Sequence, residues 1–417
     1  MATCYFNNNL DKGYRCEYEV TDEKISVDVE DYDIEDENPS GISTSNTCYV
    51  ERDILIVDSV QKKSYLLKRA WFGGWNSRSG TLDSAIISKF SANDYFEASD
   101  GKILSMLPSV PKVEAIRIYS EAISDYYRHP SVLIKDTEDQ LIFTLNNERK
   151  EVEAEINKNN IKKIVLGDDW NSISNNTSIA IRMNGYFGAS FIETVDYTDI
   201  YKYVREIMVY MQLYYPGKFK INKMLLRIDG KNYLFVSKFT RPIEYSDRFI
   251  KFSVKDGLLE FLKKCYINMP YRDTEGATRN IPYVVMKTYR NVEDNFLMSF
   301  RFLEHYYKAK NPKWSNWKVI RKAISNHYKD KELDSETIEK EVREILALRN
   351  HYVHRGYYIH ETKLLVTYKE DNVEKKYYVE ANVSWLRDRV KMLYNLVIDI
   401  IFTEILGYQE YSFRNVF

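Results

Sequence analysis

Hydrophobic residues follow two different periods along this chain of 417 residues. Up to about residue 250, short runs alternate between apolar and polar positions and are separated by polar turns, which is typical of β-strands with one buried face. Ile25–Val29 and Ser64–Lys68 are two such runs. Beyond that point, apolar residues recur every three or four positions, which predicts helices. The pattern therefore predicts an α+β protein, with a mixed, β-rich N-terminal domain at 1–250 and a helical domain at 251–417.

The second domain is predicted to be a helical bundle that is interrupted by one β-hairpin. Its four long helical patterns cover Glu293–Ala309, Pro312–Tyr328, Asp334–His354 and Ser384–Leu406. Between the last two, Tyr357–Tyr378 contains two apolar-rich runs around a polar turn at 369–372, which predicts the inserted hairpin. In the first domain, Thr198 is a suitable N-cap and predicts a helix that runs to about Tyr214.

The third of these helices, Asp334–His354, carries a charged residue inside its apolar face. Its apolar residues at helical spacing are Ile338, Val342, Ile345, Leu346 and Val353. Arg349 falls in the middle of this stripe, and Asn350 and His354 flank it as a pair four residues apart. Burying a guanidinium among apolar side chains is costly unless an anion meets it. This placement is the first indication of a functional site.

The three polar residues form the pattern R-N-x-x-x-H, whose side chains suit the metal-free cleavage of RNA. In that reaction the neighbouring ribose 2′-OH attacks the phosphate, and a histidine, which titrates near neutral pH, accepts or supplies the proton. An arginine stabilises the charge that develops on the phosphate in the transition state, and an asparagine orients either group. Arg349, Asn350 and His354 are therefore the candidate catalytic residues.

Two other Arg–His pairs in the chain have similar spacing, so spacing alone does not decide the matter. Arg355 and His360 flank a glycine and the start of a predicted strand. Arg321 and His327 lie one residue further apart on a basic helix, and a lysine rather than a neutral polar residue follows the arginine. Only the R-N-x-x-x-H stretch combines a helix end, a following asparagine and an apolar stripe. A purely structural Arg–His pair is the alternative interpretation.

The R-N-x-x-x-H stretch resembles the signature of HEPN domains, compact all-helical modules of which many are metal-independent endoribonucleases. The resemblance implies a composite active site, because HEPN nucleases pair two motif helices across a dimer interface and so bring a base and an acid to opposite sides of the phosphate. The Leu303–Glu304 pair on the first helix resembles the start of many HEPN bundles. Glu304 is therefore a supporting candidate, either as a catalytic carboxylate or as one that steadies a basic partner.

Charge is distributed unevenly, although the net charge of the chain is −1. Residues 1–60 carry 15 acidic and 4 basic residues, whereas residues 305–331 carry 8 basic residues and one acidic residue. The basic segment is interleaved with Trp314 and Trp317, which predicts an RNA partner whose phosphates are neutralised and whose bases stack. The alternative is that both tryptophans are core residues and the charges act alone. The RNA-binding candidates are Lys313, Lys318, Arg321 and Lys322.

No cofactor and no metal site are predicted. The four cysteines show no C-x-x-C pairing and no nearby histidine, which supports neither a zinc site nor a disulfide framework. The N-terminus lacks the pattern of a signal peptide, and no apolar run is long enough to span a bilayer. We therefore expect a cytoplasmic protein without a membrane partner.

Over nearly its full length the chain resembles the ApeA family of bacterial antiphage proteins, which joins a β-rich N-terminal domain to a C-terminal HEPN domain. The stretch from Tyr49 through Lys68 to a turn at Trp71 is similar to the start of that N-terminal domain, and the Thr198 helix with its following strands is similar to its end. The resemblance implies abortive infection. A phage-encoded trigger would release the nuclease, a homodimer or higher homo-oligomer, which would then cleave host RNA, expected to be tRNA.

Two other functions are compatible with the same patterns. A non-catalytic HEPN-type module would bind RNA, nucleotides or a partner toxin, and would not need Arg349 and His354 in one pocket. A carbohydrate or peptide sensor would use the β-rich domain for binding and the helices only for oligomerisation. The basic segment and the motif count against this last function.

Overall fold

The computed structural model shows two compact units. The first comprises Met1–Tyr201 and Lys220–Ile243, and the second comprises Lys202–Phe219 and Glu244–Phe417. The residues that the structure describes are 2–6, 9–21, 24–32, 51–79, 84–105, 107–108, 110–126, 131–137, 140–146, 151–175, 178–215, 219–237, 240, 251–253, 257–269, 292–327, 334–354, 363–370, 372–409 and 412–414.

The first unit is built from antiparallel strands, with two short helices between them. The strands are β1 (Ala2–Phe6), β2 (Tyr14–Val20), β3 (Ile25–Glu30), β4 (Glu51–Asp58), β5 (Lys63–Ser79), β6 (Ser84–Ala92), β7 (Tyr95–Ala98), β8 (Lys112–Tyr119), β9 (Ser131–Thr137), β10 (Gln140–Asn146), β11 (Val152–Lys158), β12 (Ile161–Asn175), β13 (Ser178–Asp196), β14 (Lys223–Ile228) and β15 (Lys231–Val236). The two helices are α1 (Gly101–Ser105) and α2 (Glu121–Tyr126).

Six of these strands close into a barrel. They pair in the order β5-β4-β1-β2-β3-β6, and β6 pairs with β5 again to complete the ring. Because successive side chains of a strand point to opposite faces, Ile25, Val27 and Val29 all lie in the buried interior. There the ring of Phe6 stacks on Tyr32 with 3.8 Å between centroids. The alternating pattern of the N-terminal sequence is thus explained by a closed barrel, in which each strand buries one of its two faces.

The strand β5 connects the barrel to the rest of the sheet. Its first residues pair with β7 and its last residues pair with β6, with a register shift between Phe72 and Gly74. Gly74 has a φ of 127°, a backbone conformation that residues with a Cβ rarely adopt. The turn expected at Trp71 is therefore wrong, because this segment is an irregularity inside one long strand. From β7 the sheet continues in the order β15-β14-β8-β13-β12-β11.

The second unit is mainly helical. Its helices are α3 (Ile200–Tyr214, from Lys202 onward), α4 (Leu258–Asn268), α5 (Val292–Lys310), α6 (Asn316–His327), α7 (Ser335–His354) and α8 (Val383–Asp399), which continues into a π-helix at Ile400–Ile405. Its short strands are β16 (Lys251–Ser253), β17 (Lys363–Glu370), β18 (Val373–Glu380) and β19 (Ser412–Arg414). The hairpin predicted between the last two helices is confirmed as the antiparallel pair β17–β18.

Helix α3 packs within the second unit, although its sequence position places it before residue 250. The buried Tyr210 hydroxyl donates to the backbone carbonyl of Met269 and lies 2.9 Å from a carboxylate oxygen of Glu206. The ring of Tyr210 also meets that of Tyr266 edge-on at 4.9 Å. An apolar stripe on a helix shows that the helix is buried, but it does not show which neighbour buries it.

The predicted helices of the second half are observed with small changes at their ends. Helix α6 begins at Asn316 rather than at Pro312, because the Ser315 hydroxyl accepts a hydrogen bond from the amide of Lys318 and so caps the helix there. The pair β16–β19 is not predicted, since three-residue strands carry no detectable alternation. The fold is therefore α+β, with a β-rich N-terminal region followed by helices. No helix in the described part of the chain is long and apolar enough to span a membrane.

Candidate active site

Helix α7 presents the R-N-x-x-x-H residues, and its start is fixed by a side-chain cap. The carboxylate of Asp334 accepts hydrogen bonds of 2.7 Å from both the amide and the hydroxyl of Thr337. These bonds hold the pKa of Asp334 below its ordinary value. Asp334 is therefore the N-cap of α7, at the first residue of the helix predicted from the sequence.

The buried face of α7 agrees with the predicted stripe at Val342 and Ile345, which are both fully buried, but departs from it toward the C-terminal end of the helix. Leu348 and Tyr352 are buried, whereas Val353 is 47% exposed. Tyr352 packs edge-on against Phe296 of α5 at 5.6 Å, because a large aromatic ring buries more apolar surface than valine does. Arg349 consequently lies half-buried at the edge of the core, and the expectation that it sits in the centre of a buried stripe is wrong.

The motif residues lie in the last two turns of α7. The Nη1 group of Arg349 donates to Oδ1 of Asn350 over 3.1 Å, and its guanidinium lies 5.8 Å from the centre of the Phe300 ring. Within the described residues Arg349 forms no ion pair. His354 is exposed one turn beyond Asn350. The structure therefore brings Arg349 and Asn350 into contact, and it places His354 in the same helix end, one turn beyond Asn350 and about 140° around the helix from Arg349.

Glu304 lies away from His354. Its carboxylate pairs with Lys308 of the same helix at 2.6 Å. The contacts of Phe296 with Tyr352 and of Phe300 with Arg349 show that α5 and α7 run antiparallel. Glu304, one turn beyond Phe300, is thus directed toward the middle of α7, and the basic partner it steadies is Lys308.

A different carboxylate lies near the motif end of α7. Burial and, next in size, the Glu293 carboxylate raise the pKa of Tyr352 above its ordinary value. Glu293 stands in the first turn of α5, on the same side of that helix as Glu304 but three turns earlier. The sequence analysis did not single it out, because only the antiparallel arrangement of the two helices distinguishes these two glutamates.

The basic segment forms an exposed face on and before α6. Lys313, Lys318, Arg321 and Lys322 are all exposed. Trp314 is partly buried and stacks on Tyr307 with 6.1 Å between centroids and 18° between planes, and Trp317 is also partly buried. The tryptophans therefore contribute to packing and still present an edge to solvent beside the lysines.

One carboxylate connects this basic face to the motif helix. Glu339 of α7 lies 3.7 Å from Arg321 of α6 and 3.3 Å from Arg343 of α7. The guanidinium of Arg343 is in turn 3.9 Å from the centre of the Tyr368 ring on β17. Arg343 is absent from the candidates chosen by sequence, although its seven-residue spacing from Asn350 places both on one face of α7.

A buried ionic cluster holds α7 against α8. Arg389 of α8 lies 2.5 Å from Glu341 and 2.6 Å from Glu344, whose side chain is 3% exposed. Burial raises the pKa of Glu341, and Arg389 opposes that rise. Breaking one partner of such a cluster leaves a buried charge unpaired, so these residues fix the helix that carries the motif.

Comparison of the chain with protein-family models, with curated proteins and with solved structures found no match. The resemblance to HEPN and ApeA proteins therefore rests on the motif and the order of elements alone.

The two residues of the competing Arg–His pair on α6 contact carboxylates on two different helices. Arg321 faces Glu339, whereas Nδ1 of His327 lies 3.7 Å from Asp399 of α8. Arg355 and His360, the other competing pair, lie outside the described residues. Among the described residues, no cluster of three or more His, Cys, Asp or Glu side chains is arranged to hold a metal ion.

Neutralising Lys318, Arg321 and Lys322 together should weaken RNA binding without changing which bond is broken. Each cation that contacts a phosphate contributes about one unit to the salt dependence of the affinity, so the slope should fall by up to about three. The measurement is the dissociation constant of RNA across a salt series, together with cleavage at saturating RNA. A control with equal loss of charge replaces Lys202, Lys263 and Arg387. Loss of cleavage at saturating RNA would instead place the chemistry on α6.

Proposed function

We propose that the protein is a metal-independent endoribonuclease of the HEPN type. One observation carries this proposal: α7 bears Arg349, Asn350 and His354 in its last turns, and the same helix is joined to the basic face of α6 through Glu339, about 15 Å along the axis from Arg349. A cationic face for the RNA backbone, together with a histidine and an arginine on the same helix, provides what RNA needs for binding and for transesterification.

The reaction is an internal transfer at the phosphate. The ribose 2′-oxygen forms a bond to phosphorus while the bond to the 5′-oxygen of the next nucleotide breaks, and this leaves a 2′,3′-cyclic phosphate and a 5′-hydroxyl. The 2′-OH gives up its proton to a base, and an acid supplies a proton to the departing 5′-oxygen. His354 performs one of these transfers, and Arg349, oriented by Asn350, stabilises the charge on the phosphate oxygens.

A second copy of the chain supplies the other proton-transfer group. Within the described residues the imidazole of His354 forms no hydrogen bond, so no described residue of the same chain orients it. Leu346 is partly exposed and Val353 is 47% exposed on the side of α7 that carries the motif. Two such faces paired about a two-fold axis would cover these apolar residues and would place two histidines at one phosphate.

Val353→Glu should therefore disrupt the homodimer and abolish cleavage. The substitution places a charge on an exposed position, so the folded chain should keep its melting temperature to within a few degrees. Light scattering and the cleavage rate measure the two effects, and Val383→Glu, at another exposed valine on α8, serves as the control. An unchanged dimer with full activity would rule out pairing through this face.

The order of the two units suggests a role in antiphage defence. The resemblance to ApeA proteins implies that the β-rich unit restrains the nuclease, and that a phage-encoded trigger releases it to cleave host RNA, with tRNA as the expected target. In phage-infected cells, expression of the chain should stop growth, with accumulation of RNA fragments, whereas expression of the His354→Ala chain should not. Continued growth with intact RNA in the presence of the active chain and phage would count against this function.

A non-catalytic HEPN-type module is the second candidate. The observation that favours it is that the His354 imidazole forms no hydrogen bond to a described residue, since a module that only binds RNA needs no oriented histidine. The two candidates differ in one respect: the binding module would hold RNA on the same basic face and leave it uncut.

A further inference from the structure

Two arginines from different helices converge on one carboxylate of the motif helix. Arg321 of α6 and Arg343 of α7 approach opposite oxygens of Glu339, at 3.7 Å and 3.3 Å. The side chains of Arg321, Glu339 and Arg343 are 48%, 34% and 18% exposed, so the cluster is open on the side of α6. Tyr368 of the hairpin lies against the guanidinium of Arg343 at 3.9 Å and holds its plane. Helices α6 and α7 and the hairpin therefore hold two guanidinium groups at one carboxylate.

This cluster lies in line with Asn350 and His354 of the motif. Arg343, Asn350 and His354 are spaced by seven and four residues, which places them within about 40° of one another around α7. With a rise of 1.5 Å per residue, Arg343 is about 10 Å from Asn350 along the helix axis. A strand whose scissile phosphate lies at Arg349 and His354 would carry a neighbouring phosphate past Arg343.

We propose that Arg321 and Arg343 form a phosphate-binding subsite for the RNA strand, and that Glu339 occupies the position of that phosphate until RNA binds. Guanidinium groups bind carboxylates and phosphates through the same parallel pair of N–H donors, so one anion replaces the other without rearranging the arginines. Two guanidiniums against one carboxylate leave a net positive charge at the cluster. The subsite extends the proposed ribonuclease function, on which it rests, to an RNA strand that runs along α7.

A purely structural ion-pair cluster would respond differently to substitution. If Glu339 served only to join α6 to α7, its removal would loosen the two arginines and would weaken RNA binding or leave it unchanged. If Glu339 competes with a phosphate, its removal frees two cations that Tyr368 and the helices still hold in place. The sign of the effect at Glu339 therefore separates the two explanations.

The experiment measures binding of a fluorescent single-stranded RNA of mixed sequence to chains that carry His354→Ala, across a salt series. In that background Arg343→Gln should weaken binding about five- to tenfold and lower the salt slope by about one. Glu339→Gln should tighten binding about threefold or more. Arg387→Gln, at an exposed arginine of α8, is the matched control and should change nothing. Melting temperatures confirm that each variant is folded.

The outcomes distinguish the subsite from the nuclease. Equal affinities for Arg343→Gln and the control, or weaker binding by Glu339→Gln, would overturn the subsite while leaving the nuclease untouched. Opposite changes for Arg343→Gln and Glu339→Gln support the subsite even where a chain with His354 intact cuts no RNA, a result that would overturn only the nuclease. Failure of the His354→Ala chain to bind RNA at all would overturn the subsite as well.

Discussion

Replacing His354 with alanine should slow RNA cleavage by about a hundredfold or more, because general acid–base groups contribute about 10²–10⁴-fold to a rate. The imidazole is exposed at the end of α7, so its removal should leave the folded chain stable. The effect is measured as the single-turnover rate at saturating RNA in excess EDTA, which should leave the unsubstituted chain fully active.

His327→Ala is the control for this substitution. His327 pairs with Asp399 at 3.7 Å and is partly buried, so its removal should affect stability rather than chemistry. Cleavage by this variant should proceed close to the unsubstituted rate at a temperature where both chains are folded. A His354→Ala chain that cleaves as fast as the His327→Ala chain would exclude His354 from the chemistry.

Arg349→Lys should be nearly as damaging as the loss of His354, although it keeps the positive charge. An ammonium group cannot present the planar fork that meets two phosphate oxygens at once. It would also lose the geometry of the 3.1 Å hydrogen bond to Asn350 and the packing of the guanidinium over Phe300. Because the lost interaction belongs to the transition state, the rate constant should fall while the affinity for RNA changes little.

Arg387→Lys makes the same exchange at an exposed position of α8 and should have no effect on the rate. If Arg349→Lys retained a rate within a few fold of the original, Arg349 would act only as a point charge. A large loss of RNA affinity with an unchanged rate at saturation would make it a binding residue instead.

Much of the secondary structure follows from local patterns in the sequence. The alternating residues Ile25–Val29 form a strand of the barrel, and Asp334 caps the start of α7. The hairpin at 363–380 lies where two apolar-rich runs flank a polar turn. What the patterns could not give is the choice of packing partner. They therefore did not show that α3 packs in the second unit, or that the register shift at Gly74 lies within a continuous strand.

For a similar reason, the sequence predicted only part of the candidate site. Motif spacing identified Arg349, Asn350 and His354, but the C-terminal end of the predicted apolar stripe was wrong, because Val353 is exposed and the neighbouring Tyr352 is buried instead. Tyr352 sets the buried face at this end of α7, because its ring packs against Phe296 of α5. Arg343 and Glu293 are also recognisable only after α6, α5 and the hairpin are placed beside α7.

Cleavage of one RNA and of the same RNA with a single 2′-deoxynucleotide at the scissile position, both in excess EDTA, tests the central claim most directly. We predict that the RNA is cut to a 2′,3′-cyclic phosphate and a 5′-hydroxyl, and that the substituted RNA remains intact at that position, because the nucleophile is missing. Cleavage at the deoxynucleotide, or loss of all activity on chelation, would contradict the claim and would indicate a metal-dependent hydrolase.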